Sequence, residues 1–426
     1  MTRTGESALG LYISIPFCRS KCTYCNFASG VYPAGEHARY VNRLIEELAA
    51  AGAWAARLGM DLPRTVETVY LGGGTPSLLA PELLERLFGA MRAEFDVEPD
   101  AEITVECAPG QLADRALAAL VASGVNRVSL GVQSFIDREA AVSGRLHSRC
   151  VALADIERLR AAGISNLSVD LIAGLAGQSF ASWEESLAVL IGSQVPHASV
   201  YMLEVDEESR LGREMLAGGT RYYAELVPSE GAIAQMYTAA IERLGQAGME
   251  QYEISNFSRP GFASRHNMRY WQRRPYLGVG LDASSMLREA WSEAGGAEAG
   301  YAIRSTTGSD LAEYLEDRAP VESARLSPQQ QHEEAWFLGL RLNAGVEAGA
   351  LEGEFGPATV APALMAVERL AQAGLVTSDG QRVRLTPEGQ LFSNDVFQEF
   401  LGLASEEAGI GDRKLRCRSG GKPVPE

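Results

Sequence analysis

The sequence predicts an α/β fold, a parallel sheet whose strands are joined by helices, followed by a smaller α+β domain. Two observations carry this. Apolar runs rich in β-branched and aromatic residues alternate with amphipathic stretches through the first half. Helix-spaced segments and a hairpin then fill residues 326–401. A length of 426 residues exceeds what one ordinary core organises, so two or three domains are expected.

The strands come in order. Leu11–Ile15 (LYISI) is the first, and Pro16 ends it because proline has no N–H to give a ladder. Val66–Leu71, Glu102–Glu106, Arg127–Gly131, Leu167–Ile172 and Ser199–Leu203 follow. Between them His37–Leu58 and Val151–Ala162 have helical periodicity. Pro81 ahead of Glu82, Leu83 and Leu84 marks a helix start, and Gly124 and Gly163 suit helix ends. Six strands alternating with helices imply crossover connections and a parallel sheet, open or curled into a partial barrel. Periodicity does not choose between these.

In such sheets the residues that do chemistry gather at the C-terminal ends of strands. Cys18 follows the first strand and Gly72–Pro76 (GGGTP) the second. Glu106 closes the third, Gln133 follows the fourth, Asp170 lies in the fifth and Tyr201 in the sixth. Residues far apart in sequence are thus expected on one rim.

The stretch Leu11–Phe27, LYISIPFCRSKCTYCNF, places Cys18, Cys22 and Cys25 in a C-x3-C-x2-C spacing directly after a strand. Thiolates this close in a loop reach one soft metal centre, and three of them on a four-iron cube leave one iron open for chemistry. A structural zinc site is an alternative that needs a fourth ligand; His37, Cys107 and Cys150 are available, none at finger-like spacing. A redox pair of Cys22 and Cys25 leaves Cys18 unexplained. The glycines of GGGTP permit close approach of main chain to a ligand and equally suit an ordinary tight turn. They lack the Lys-Ser/Thr ending of a phosphate loop and the spacing of a dinucleotide fingerprint.

Thirty-eight Lys and Arg against fifty-five Asp and Glu give a formal charge of −17, which argues against nucleic acid as a partner over most of the surface. Six cysteines, three of them in one cluster, point to a reducing compartment rather than a disulfide scaffold. Residues 1–10 hold no apolar secretion signal, and no transmembrane-length run is present, so a cytoplasmic location is expected.

Together with Tyr24 ahead of the last cysteine, the motif resembles the radical S-adenosylmethionine (SAM) superfamily. The words YISIPFC and CTYCNF, Ser129–His147 (SLGVQSFIDREAAVSGRLH) and Asn166–Ser179 (NLSVDLIAGLAGQS) resemble one branch of it. So does Gly248–Met286, centred on His266-Asn267-x-x-Tyr270-Trp271. That branch contains the oxygen-independent coproporphyrinogen III oxidases and the HemW haem chaperones. The likeness spans about residues 11–400, with its specific words before Met286.

The resemblance implies a six-unit partial (β/α) barrel of the radical SAM type at residues 1–215 and a barrel extension at 216–290. Residues 291–325, rich in Ala, Gly and Glu at their start, read as a loop or insertion. Residues 326–402 read as a winged-helix-like domain with an Asp379-Gly380 hairpin turn, and residues 403–426 as a disordered tail. The resemblance further implies a 4Fe–4S cluster on Cys18, Cys22 and Cys25. It places SAM against Tyr12, Tyr24, Gly73, Gly74, Thr75, Glu106, Gln133, Arg145 and Asp170. Haem falls to His266, Asn267, Tyr270 and Trp271: the imidazole as an iron ligand, the aromatic pair against the porphyrin, and Arg265, Arg269, Arg273 and Arg274 near its propionates.

Three departures stand out. Ala108 replaces an expected Asn, Ala176 an expected Pro, and Leu281–Ser285 (LDASS) an expected Ala-His-Ser. The first two fall in turns and are expected to alter loop rigidity rather than chemistry.

The function expected is that of a haem chaperone that passes haem to an acceptor protein, such as a membrane-associated respiratory enzyme. The alternative is a radical SAM enzyme that oxidatively decarboxylates coproporphyrinogen III. Two features favour the chaperone: the enzymes' fourth cysteine is here Phe27, and the first strand begins by Leu11 without their N-terminal extension. No catalytic residue is assigned.

Overall fold

The computed structural model describes residues 8–289 and 300–403. The chain divides into two compact units, Met1–Leu287 with Thr306–Glu322, and Arg288–Ser305 with Ser323–Glu426. The expected tail beyond Leu403, Cys417 included, lies outside the described residues.

In the first unit six strands form a continuous parallel run: β1 (Leu9–Ile15), β2 (Thr65–Gly73), β3 (Asp96–Cys107), β4 (Arg127–Gln133), β5 (Asn166–Ala173) and β6 (His197–Met202). The connecting segments carry helices α1 (Ala34–Arg57), α2 (Pro81–Glu94), α3 (Asp114–Ala122), α4 (Asp137–Val142), α5 (Arg149–Ala161) and α6 (Phe180–Gly192). Beyond β6 follow α7 (Arg210–Leu216), α8 (Glu230–Gln246), β7 (Glu250–Glu253), β8 (Asn256–Ser258), α9 (Arg265–Trp271), β9 (Tyr276–Val279) and β10 (Ser284–Arg288). Strand β8 pairs antiparallel with β6, and β9 pairs parallel with the free side of β1, Gly10 opposite Tyr276. All six expected strands are present, most of them longer than their apolar runs.

The sheet is strongly curled. Strands β2 and β6 stand four spacings apart, about 19 Å if the sheet were flat. Yet burial first, then Glu106 and Asp170, hold the Tyr70 phenol well above its ordinary range, and Tyr201 of β6 adds to this. Side chains on β2, β3, β5 and β6 therefore look into one hollow.

The two faces of the curl differ in kind. Leu11, Ile13, Val69, Leu71, Val105, Val128, Leu130, Val169, Leu171 and Val200 are buried at one set of alternate positions. Tyr12, Thr68, Tyr70, Glu102, Thr104, Glu106, Arg127, Ser129, Ser168, Asp170, His197, Ser199 and Tyr201 occupy the other set. The helices cover the apolar side, as in α1, which buries Tyr40, Val41, Leu44 and Leu48 at helical spacing. Burial of a Leu or Val there stabilises the fold by about 1.5–3 kcal/mol each. The concave side is mostly polar, with Ile172 of β5 an apolar exception, unlike a barrel filled with branched apolar residues.

In the second unit α11 (Pro328–Leu340), β13 (Val346–Glu347), α12 (Ala348–Phe355), α13 (Pro357–Gln372), β14 (Val376–Ser378) and β15 (Arg382–Leu385) follow in winged-helix order, with β15 between β13 and β14. Gly380 takes φ +88 in the hairpin turn, which the Asp-Gly pair anticipates. Trp336 stacks on Phe400 at 5.1 Å at the centre of its core. The expected loop at 291–325 needs correction. Its described part carries β11 (Ala302–Thr307), α10 (Leu311–Leu315) and β12 (Val321–Leu326), because AIRSTT and VESARL hold the β-branched residues that strands favour. Among the described residues no helix is long and apolar enough to cross a membrane.

Candidate cofactor site at the barrel rim

The cysteine loop is tied down before any cofactor is considered. Cys18 N–H donates to the Gly30 carbonyl at 2.8 Å and Gly30 N–H to the Pro16 carbonyl at 2.8 Å, closing the neck of residues 16–30. Lys21 Nζ donates to the carbonyls of Phe27 and Ser29, both at 3.0 Å, and folds the loop on itself. Thr23 N–H reaches the Ser143 carbonyl at 3.0 Å, and Leu211 N–H reaches the Thr23 carbonyl at 2.9 Å. The loop is thus pinned to the turn after α4 and to α7.

The three sulfurs share one neighbourhood. Burial pushes the Cys18 thiol up, and Cys25 and Cys22 add to it; burial does the same to Cys25, with Cys22 adding. Thr75 Oγ1 lies 3.9 Å from Cys18 Sγ, Ser29 Oγ 3.9 Å from Cys25 Sγ, and Arg145 Nη1 3.6 Å from Cys22 Sγ. Among the described residues no three His, Cys, Asp or Glu are gathered tightly enough for a single ion. A cube puts each thiolate on a different iron and does not need that gathering.

The glycine turn after β2 lies directly against this loop. Gly74 N–H donates to the Ile15 carbonyl and Thr75 N–H to the Phe17 carbonyl, both at 2.8 Å. A Cβ on Gly74 would meet the carbonyl oxygens of Ile15 and Phe17 at 2.8 Å, so only glycine allows the approach. Gly73 has φ +100, and its N–H donates to Glu106 Oε2 at 3.1 Å, while Tyr70 Oη donates to Glu106 Oε1 at 2.9 Å.

Gln133, Arg145 and Asp170 complete the rim. Gln133 takes φ +68, a conformation that non-glycine residues hold only under tertiary constraint, and its buried Oε1 has no partner. Arg145 donates to the Gly131 carbonyl through Nη2, while its buried Nε has no partner. Asp170 accepts from Ser129 Oγ at 3.0 and 3.1 Å; burial raises its carboxyl, against hydrogen bonds from Ser199 and Ser129. Tyr12 stacks on Tyr70 with centroids 6.1 Å apart, and Tyr24 is partly buried, with Arg145 and Cys22 acting on its phenol.

Thiols for a soft metal, a glycine turn open to a main-chain approach, and unsatisfied buried polar atoms suit a cluster beside an amino-acid-bearing cofactor. The structure gathers Tyr24, Gly73, Gly74, Thr75, Glu106, Gln133, Arg145 and Asp170 around one end of the hollow, while Tyr12 lies deeper, in register with Tyr70 and 6.5 Å from the His266 ring. Tyr70 and Ser129, which sequence reasoning missed, hold Glu106 and Asp170 in place; their signal was a polar residue at every second position of β2 and β4.

The haem residues expected on α9 are placed otherwise. His266 is 1 % exposed at the opposite end of the strands, with Nδ1 2.9 Å from Thr68 Oγ1 and Nε2 2.9 Å from Tyr270 Oη. Glu102 accepts from the backbone N–H groups of Arg265 and His266, both at 3.0 Å, and Asn267 N–H is capped by Ser264 Oγ at 3.2 Å. Arg269 is fully buried and paired with Glu67, which also binds Arg274 at 2.6 Å. Tyr270 packs edge-on against Tyr276 and Trp271 at 4.7 and 6.2 Å. The segment plugs the floor of the curl. Of the residues expected to meet haem, His266 has both ring nitrogens hydrogen-bonded within the protein, and Arg269 and Arg274 pair with Glu67. At the LDASS departure, Leu281 N–H donates to Tyr40 Oη at 2.8 Å, so this turn packs on α1.

Comparison with known proteins agrees with this architecture. The Radical SAM superfamily model matches residues 12–190, and the HemN C-terminal domain model matches residues 326–392. The chain is 33 % identical over 394 residues to the heme chaperone HemW of Lactococcus lactis, covering 92 % of this chain and 96 % of that one. It is 31 % identical over 397 residues to the heme chaperone HemW of Bacillus subtilis, covering 92 % and 98 %. The solved structure of coproporphyrinogen III oxidase (HemN) from Escherichia coli shares its fold, with a TM-score of 0.77, 22 % identity and coverage of 93 % and 91 %. On the strength of the full-length similarity, the chain belongs to the HemW family of the radical SAM superfamily.

Proposed function

We propose that the protein is a haem chaperone, which binds haem and hands it to an acceptor protein, with a 4Fe–4S cluster on Cys18, Cys22 and Cys25 and SAM beside it. The observation that carries this is likeness over nearly the whole of both chains to proteins named as heme chaperones. Phe27, where the coproporphyrinogen oxidases are expected to hold a fourth cysteine, supports the same choice.

Each group at the rim has a task in this reading. Cys18, Cys22 and Cys25 are the thiolate donors, and Thr75, Ser29 and Arg145 supply hydrogen bonds to their sulfurs. Those bonds disperse thiolate charge and tune the centre. The Gly73–Thr75 main chain, Glu106, Gln133, Arg145 and Asp170 orient SAM, whose amino-acid end offers both a cation and a carboxylate to such groups. When bound, the cluster and SAM supply one-electron chemistry or a redox-dependent shape change. Haem is not assigned to α9.

The test is an anaerobic haemin titration of the reconstituted protein, followed by the Soret band, together with transfer to a haem-free acceptor. Saturable binding and transfer support the chaperone. Product formation from coproporphyrinogen III with SAM consumption would replace it by the radical-enzyme reading.

A further inference from the structure

Among the described residues one cation in the hollow has no hydrogen-bonded partner, and its charge is met only electrostatically, by Asp170. Arg127, at the first position of β4, is 2 % exposed. Among the described residues its guanidinium makes no hydrogen bond or ion pair, and its Nε is buried and unsatisfied. The carboxylates around it are occupied. Asp170 accepts from Ser129 and Ser168, and Glu102 is held by Ser264, Arg265 and His266 at the start of α9. Thr104, its register partner on β3, also has a buried hydroxyl without a partner.

Register places these two in a layer with Tyr12 and Tyr70, one step above the floor formed by Thr68 and Glu102 with α9. The charge of Arg127 acts on Tyr70, Asp170, His197, Tyr252 and His266. The two histidines are held neutral by burial first, so they leave the positive charge to Arg127. A buried charge without a hydrogen-bonded partner destabilises a fold, and an apolar residue of similar volume is often better tolerated. A guanidinium, with its planar fork, matches a carboxylate in two parallel hydrogen bonds.

We propose that Arg127 is the anchor for a carboxylate of the ligand taken into the hollow, with Thr104 as an adjoining hydroxyl contact. The proposal rests on the haem-and-SAM reading only for the source of that carboxylate, a porphyrin propionate or the amino-acid end of SAM.

The test uses the full chain with Arg127→Met and Arg127→Lys. Thermal unfolding without ligand should be unchanged or shifted upward in Arg127→Met, because a buried charge without a hydrogen-bonded partner has gone; a clear fall would mark a structural role and overturn the proposal. Sodium propionate should raise the wild-type midpoint while propionamide does not, and Arg127→Met should lose that response with Arg127→Lys keeping part of it. Equal responses in wild type and Arg127→Met, or none in wild type, would overturn it. If Arg127→Met does not fold, the proposal fails on the first criterion. Titration with haemin against its dimethyl ester, and with SAM against its decarboxylated form, then names the source. The acid form should lose about tenfold or more in affinity in one arm while its partner binds as before. A wild type that takes up neither haemin nor SAM would sink the haem-and-SAM reading and leave the propionate result standing.

Discussion

Nε2 of His266 and the hydroxyl of Tyr270 lie 2.9 Å apart, one helical turn from each other on α9. Thr68 Oγ1 holds the other ring nitrogen at 2.9 Å, so both are engaged by hydroxyls that are able to donate or accept. His266→Ala should therefore destabilise the fold by about 2–4 kcal/mol, through a cavity and two stranded hydroxyls. Haemin affinity should stay within about twofold of wild type once the variant is folded. Urea unfolding beside a Soret titration checks both, and a lost Soret shift in a folded variant would return His266 to the haem site.

Acid should act on the same histidines. Burial, with Arg269 and Arg127 beside it, pushes His266 down to about 3, and burial with Arg127 holds His197 well below the ordinary value. Below about pH 6.5 the unfolded chain takes up protons that the folded chain refuses, so their stabilising contribution is full above that value and is lost as pH falls. His266 adds a slope of about 1.4 kcal/mol per pH unit between roughly pH 6 and pH 4, and His197 acts in the same direction. His266→Gln should remove one such share, measured from unfolding free energies at several pH values.

Gly74→Ala tests the join between the glycine turn and the cysteine loop. The added methyl meets three backbone atoms of Ile15 and Phe17 within 2.9 Å, and no side chain rotation relieves that. A loss of about 1–3 kcal/mol is expected, with SAM affinity down by more than the loss of folded protein explains. Equilibrium dialysis with labelled SAM, corrected for the folded fraction, reads it.

Cys18→Ala should leave a chain that folds but cannot hold the cluster, because two thiolates do not replace three. Iron and sulfide per chain after anaerobic reconstitution should drop well below wild type. Counts equal to wild type would show that Cys18 is not a ligand.

Much of this was legible in the sequence because outward-facing positions repeat. Leu11, Ile13, Val69, Leu71, Val128 and Leu130 give strands an apolar signature that survives without knowledge of the tertiary fold. Cys18, Cys22 and Cys25 were legible because their spacing is local. The role of α9 was not, since its meaning lies in Thr68, Glu67 and Glu102, between 164 and 202 residues away. Arg127 escaped for a related reason. At the head of a strand a charged residue reads as solvated, and only the curl of the sheet shows that no water-facing side exists there. Strands β11 and β12 were hidden beside a stretch rich in Ala, Gly and Glu.

The pairing of β1 with β9 has a consequence for synthesis. Gly10 cannot meet Tyr276 until about 265 further residues have been made, and at about 5–20 residues per second that takes roughly 13–50 s. Throughout that interval one edge of β1, carrying the sequence that leads into the cysteine loop, remains open on the nascent chain. A pause in translation before residue 276 would therefore present an apolar strand edge with three thiols beside it.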